Sequence, residues 1–211
     1  MMKWVCALLL LGAAGAVSAQ SADDERGFYV GGSAGVASYP DNPKIIFRDL
    51  TLRSTDTRAE DFSWGVTAGY RFSRHFALEA GYVDLGAGTT KLIDVGGTDF
   101  RGDFRFGVHG PTVAAVVLFP LGPNWEMYLK GGAIYQDVKA RLNWTQAGED
   151  WTLGATAEHV MKPFIEGGVS YRFDSHWKVG LGLTAYRHIG MNGSTGKVNM
   201  RSTLLSFTYQ F

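Results

Sequence analysis

Between Trp64 and Leu85 the chain alternates twice, with one short break. Trp64, Val66, Ala68, Tyr70 and Phe72 form one set, and Gly65, Thr67, Gly69 and Arg71 lie between them. After Ser73-Arg74-His75 the pattern resumes, with Phe76, Leu78, Ala80 and Tyr82 set against Ala77, Glu79 and Gly81. A period of two belongs to strands, whose successive side chains point to opposite faces, and the short break reads as a tight hairpin. No charge enters the apolar set before Asp84. A soluble sandwich tolerates one such hairpin. A chain that repeats it from end to end points to a closed barrel in a membrane.

The repeats are there. Alternating segments are expected over Phe28–Ser38, up to Phe119, from Trp125 to Tyr135, from Ile165 to Phe173, from Trp177 to Ala185, and from Thr203 to Phe211. With the opening hairpin this predicts an all-β fold, an eight-stranded antiparallel up-and-down transmembrane barrel. Short turns at Ser73–His75, Pro120–Asn124 and Asp174–His176 alternate with long loops expected at Pro40–Asp61, Gly86–Arg101, Leu142–Val160 and Ile189–Arg201. An aromatic stands beside nearly every short turn: Phe28, Phe72, Phe76, Phe119, Trp125, Phe173, Trp177 and Phe211. Together they would form one girdle at one membrane interface. Charge returns to the outward face at Asp137, Arg187 and Arg201, after the ~9–11 residues that a tilted strand needs to cross. Tyr70-Arg71-Phe72-Ser73-Arg74-His75-Phe76 recurs as Tyr171-Arg172-Phe173-Asp174-Ser175-His176-Trp177, one solution used twice at the same interface. In lipid no water satisfies an open strand edge, so the last strand must pair with the first.

The N-terminus supplies an address. A basic Met1-Met2-Lys3 start, an apolar run from Val5 to Val17 and small residues at Val17-Ser18-Ala19 read as a signal peptide over 1–19. A periplasmic segment 20–27 and the barrel 28–211 are expected to follow, with both termini in the periplasm. Cys6, the only cysteine, lies inside that leader, so the mature chain should hold no disulfide and no cysteine-ligated metal. The 20 basic and 20 acidic residues give no electrostatic case for nucleic acid. An exported, cysteine-free, glycine- and aromatic-rich alternating chain fits the outer membrane of a Gram-negative bacterium.

At this point the sequence resembles the OmpA-like barrel family. The likeness runs from Ala68-Gly69-Tyr70-Arg71-Phe72 through Leu78-Glu79-Ala80-Gly81-Tyr82 to Leu85-Gly86. It recurs in Tyr128-Leu129-Lys130-Gly131-Gly132, in Pro163 to Tyr171 and in Leu205 to Phe211. The resemblance implies an eight-stranded outer-membrane domain surrounded by lipid and lipopolysaccharide. It also implies an aromatic C-terminal signal read by the barrel-assembly machinery, here Phe211 with Tyr209. Glu79 matches the family's inward glutamate, but Val116, Ser170 and Gly180 stand where its charged partners would be. Inward Lys130 and Glu166 are expected to replace them as a pair, with Glu79 across the lumen, because an uncompensated charge there is costly. The barrel is expected to run to Phe211 without a peptidoglycan-binding domain after it, so wall anchoring is not implied.

No residue pattern points to a cofactor. His75, His109, His159, His176 and His188 are not spaced as metal ligands. Gly31-Gly32-Ser33-Ala34-Gly35 lacks the helix a phosphate loop needs. Arg71 and Arg172 are read as solvated residues of the periplasmic mouth. The favoured function is structural or surface-interacting, with the long outer loops meeting host, phage or lipopolysaccharide. Lys44, Arg48, Arg53 and Arg58 in the first loop, set among several acids, read either as contacts for lipopolysaccharide phosphates or as an ordinary solvated charged loop. A narrow small-solute pore is the first alternative. A lipid A-modifying enzyme built on His188 and Ser194 is the second, although the two are six residues apart rather than two.

Overall fold

The computed structural model describes residues 26–39, 52–58, 60–94, 101–146, 149–156, 160–189 and 198–211. The signal peptide expected at 1–19 lies outside them. Among the described residues ten strands are formed: β1 (Gly27–Ser38), β2 (Leu52–Arg58), β3 (Glu60–Ser73), β4 (Phe76–Asp94), β5 (Arg101–Pro120), β6 (Trp125–Gln146), β7 (Glu149–Thr156), β8 (Val160–Arg172), β9 (Trp177–Ile189) and β10 (Val198–Gln210). Eight of them close a barrel in the order β1, β3, β4, β5, β6, β8, β9, β10, every neighbour antiparallel. Closure comes from β1 against β10, with Tyr29 opposite Gln210 and Ser38 opposite Arg201.

The alternation falls as the sequence predicts. On β3, Phe62, Trp64, Val66, Ala68 and Phe72 are exposed, while Ser63, Gly65 and Arg71 are buried. Outward Leu183 is 64% exposed, and Phe28 is 67% exposed. Residues of this kind form a continuous belt that water would not tolerate and hydrocarbon does. At the end that carries the termini, the girdle aromatics touch along the rim: Phe28 with Tyr70 at 4.8 Å, Trp125 with Tyr171 at 5.0 Å, and Tyr209 with both Trp177 and Phe211 at 5.0 Å.

The far end differs from the expected loops. β4 and β5 stay paired out to Ile93 opposite Arg101, and β5 and β6 out to Arg101 opposite Thr145. β2 adds to β4 on one side and β7 to β6 on the other. The segments expected as loops at 40–61, 86–101 and 142–160 therefore contribute to a five-stranded sheet, β2-β4-β5-β6-β7, rising from one wall of the barrel. Mixed charge in these segments hides the period of two, since neither face is held in lipid. Gly86, at φ +71°, marks the bulge where β4 leaves the barrel register between Asp84 and Ala87. Only glycine takes this left-handed conformation at no cost, and an added Cβ would also press on Phe62 O at 2.5 Å.

Candidate functional site

The lumen holds the polar groups that lipid cannot. Lys130 and Glu166 are directly paired residues of β6 and β8, and Glu166 is paired in turn with Thr184 of β9. Lys130 Nζ lies 2.9 Å from Glu79 Oε2 and 3.5 Å from Glu166 Oε1. The shorter contact is thus to Glu79, the residue placed across the lumen in the sequence reading. Tyr29 Oη donates to Glu79 Oε1 at 2.9 Å. Tyr128 Oη and Thr184 Oγ1 donate to the two oxygens of Glu166 at 3.0 and 3.1 Å. The ammonium also sits 5.2 Å from the centre of the Tyr128 ring.

Glycines make room for these tyrosines. Tyr29, Gly69 and Glu79 share one register row across β1, β3 and β4, so the ring reaches its carboxylate by lying over Gly69. Tyr128, Gly168 and Gly182 share another across β6, β8 and β9. A Cβ at Gly168 would stand 2.5 Å from Tyr128 Oη, and one at Gly182 would collide with the same oxygen. The lumen is crowded because two tyrosine side chains reach across it over glycines.

A second ionic cluster lies at the termini end. Arg71 Nη2 is 2.8 Å from Glu126 Oε2, and Lys178 Nζ is 3.5 Å from Glu126 Oε1. Arg71 also donates to Ser73 O at 3.2 Å and to Arg74 O at 2.7 Å. The side chain is 2% exposed, which corrects its reading as a solvated mouth residue. The signal was Glu126, an inward acid at the second position of β6, at the same mouth. Arg71, Lys130 and Lys178 balance Glu79, Glu126 and Glu166, so none of these buried charges lacks a counter-ion.

Beyond the Lys130 cluster apolar residues predominate, although Gln136, wholly buried between Ile134 and Val138 on β6, and Lys162, paired with Ile134, are buried at the same level. Val83, Leu85, Val108, Ile134, Val138, Tyr186, Ile189 and Met200 pack together with Ala37 at the far end. Leu85, Val108, Ile134, Val138 and Ile189 are wholly buried. A cavity of about 130 Å³ remains beneath them, lined by both ionic clusters. A closed antiparallel barrel, greasy outside and ionic within, is a membrane architecture, and residues 6–211 match the family model of the outer membrane protein beta-barrel domain. The chain belongs to that family. It is 24% identical to Outer membrane protein A of Serratia marcescens over 214 residues, covering 100% of this chain and 56% of that protein. It is 34% identical to Outer membrane protein P5 of Haemophilus influenzae over 90 residues, covering 41% of this chain and 25% of that protein. The chain thus spans just over half of the first relative and a quarter of the second. Neisserial surface protein A shares the fold at a TM-score of 0.50 with 18% identity, covering 87% of this chain and 97% of that one. The protein is an outer-membrane β-barrel of the Gram-negative envelope, set in lipid and lipopolysaccharide.

The remaining expected site residues are scattered. Tyr209 and Phe211 sit on the outer rim, with Phe211 71% exposed. His75 and His176 are exposed in their turns, and His176 stacks on Tyr209 at 5.5 Å. Lys44, Arg48, His159 and Ser194, and the side chains of Arg53, Arg58 and His188, lie outside the described residues. Among the described residues no group of histidines and carboxylates is arranged to hold a metal ion. His109 faces outward and meets Tyr82 Oη through Nδ1 at 3.0 Å. Sequence reading gave it no role.

Proposed function

We propose that this family member is a closed barrel that acts through its outer surface, with both termini in the periplasm and the β2-β4-β5-β6-β7 sheet outside the cell. The observation that carries this reading is the reach of β6. Its outward row runs from the girdle residue Trp125 to Tyr135, a full crossing, and the strand then continues to Gln146. A barrel built only to fill a membrane has no need of that extension. Strand edges at β2 and β7 offer backbone groups to a host or phage surface protein.

The close packing around Leu85, Ile134 and Met200, with Gln136 and Lys162 buried beside them, speaks against the narrow pore because it leaves little room for a water path. The residues of the enzyme reading, Ser194 and the side chain of His188, lie outside the described residues. Glu79, Lys130 and Glu166 are proposed to hold the lumen in one packing arrangement. Tyr209 and Phe211 are proposed to present the chain to the barrel-assembly machinery.

The test replaces residues 140–155 with a tight turn. Cells carrying this variant should keep the barrel folded and lose adhesion to host surfaces or phage adsorption. Unchanged adhesion and adsorption would contradict the reading.

A further inference from the structure

On the outward face of the projecting sheet, Arg105 of β5 stands directly opposite Arg141 of β6. Lys139 lies two residues nearer the barrel on the same face of β6, and all three side chains are exposed. Like charges placed directly opposite in a sheet repel each other. Among the described residues, no ion pair involves these three cations. Two acids bracket the cluster on the same face. Asp103 lies beyond Arg105 and accepts a hydrogen bond from Asn143 at 3.1 Å, and Asp137 lies below Lys139, opposite His109.

The level of the cluster matters as much as its sign. Tyr135 ends the apolar outward row of β6, and Lys139 is four residues further on. At strand rise and barrel tilt this is about 10 Å above the tyrosine, where hydrocarbon gives way to headgroups. The cations also point away from the barrel axis, toward the surrounding lipid. We propose that Arg105, Arg141 and Lys139 bind the phosphate groups of neighbouring lipopolysaccharide. Two planar guanidinium groups about 5 Å apart at their roots suit a phosphate that accepts several hydrogen bonds at once. A bound phosphate would also relieve the repulsion between the two arginines. This inference rests on the outward orientation of the sheet given under the proposed function.

The test titrates the refolded chain in zwitterionic detergent with purified lipopolysaccharide, dephosphorylated lipopolysaccharide, inorganic phosphate and a sulfated oligosaccharide. Arg105→Gln, Lys139→Gln or Arg141→Gln should each weaken lipopolysaccharide binding about fivefold. The triple variant should weaken it more than twentyfold, and Arg141→Lys by less than Arg141→Gln. Dephosphorylated lipid should bind the unaltered chain as weakly as intact lipid binds the triple variant. Heat-modifiable gel migration would verify that each variant is folded. Equal binding by the triple variant, or of the dephosphorylated lipid, would overturn the proposal. So would displacement of the lipid by millimolar inorganic phosphate, or a preference for the sulfated oligosaccharide. Orientation is read separately, by labelling a Thr152→Cys variant on intact cells with an impermeant maleimide. Labelling without phosphate-dependent binding removes this inference alone, whereas no labelling removes the surface reading too.

Discussion

Lys130 Nζ lies 2.9 Å from Glu79 Oε2 although their strands, β6 and β4, are separated by β5. The contact is possible because the intervening inward residues are Ala114 and Val116, which carry no polar group and leave the space above them open. The same ammonium lies 3.5 Å from Glu166, so one cation holds two carboxylates that would otherwise repel.

Removing that cation should therefore cost more than removing either acid. Lys130→Met is expected to destabilise the barrel by about 3–5 kcal/mol, the range for breaking a buried ion pair. Glu79→Gln should cost less, since Glu166 still pairs with the lysine. Urea unfolding from lipid vesicles would read both. A double-mutant cycle should give a larger coupling for Lys130 with Glu79 than with Glu166.

The glycine rows make a sharper prediction. At Gly182 the atoms nearest an added methyl are side-chain ends, Tyr128 Oη and Glu166 Oε1. At Gly168 it meets the Leu181 carbonyl as well. Gly182→Ala should cost about 1–3 kcal/mol and be largely rescued by Tyr128→Leu. Gly168→Ala should not be rescued by the same change, because backbone cannot step aside. Unfolding midpoints of the single and double variants would test this.

Much of the barrel was legible because lipid enforces its pattern. Trp64 to Phe72 and Phe76 to Tyr82 must keep an unbroken apolar face, and any charge there would be costly. The lumen was legible only in part. Lys130 and Glu166 stood out as inward charges on neighbouring strands. Arg71 did not, because a sequence does not say whether a residue at the mouth turns to water or folds back onto Glu126. The apolar packing at the far end was hidden for a related reason. Val83, Leu85, Val108 and Val138 are inward residues, and beside an apolar outward row they look like weak alternation rather than a sealed end. The projecting sheet was missed because nothing outside the lipid belt forces one face of β6 to differ from the other.

The C-terminal aromatics allow a separation of folding from delivery. Phe211 lies on the rim, exposed, with its ring 5.0 Å from Tyr209 and its amide donating to Phe28 O at 3.0 Å. Deleting Phe211 should slow assembly in cells severalfold and lower the folded fraction in the outer membrane. Refolding of purified chain into detergent should change little. A pulse-chase assay of heat-modifiable migration, beside in vitro refolding, would distinguish the two. Equal loss in both would mean that the residue acts on stability alone.

The central claim is a barrel sealed at its far end by Leu85, Ile134, Val138, Ile189 and Met200, so that its work is done on the outside. The most direct measurement is the single-channel current of the refolded protein in a planar bilayer under an applied voltage. The account predicts a flat baseline without discrete steps, and steps appearing when Ile134 and Val138 are both replaced by serine. Discrete, reproducible conductance steps from the unaltered protein would contradict it.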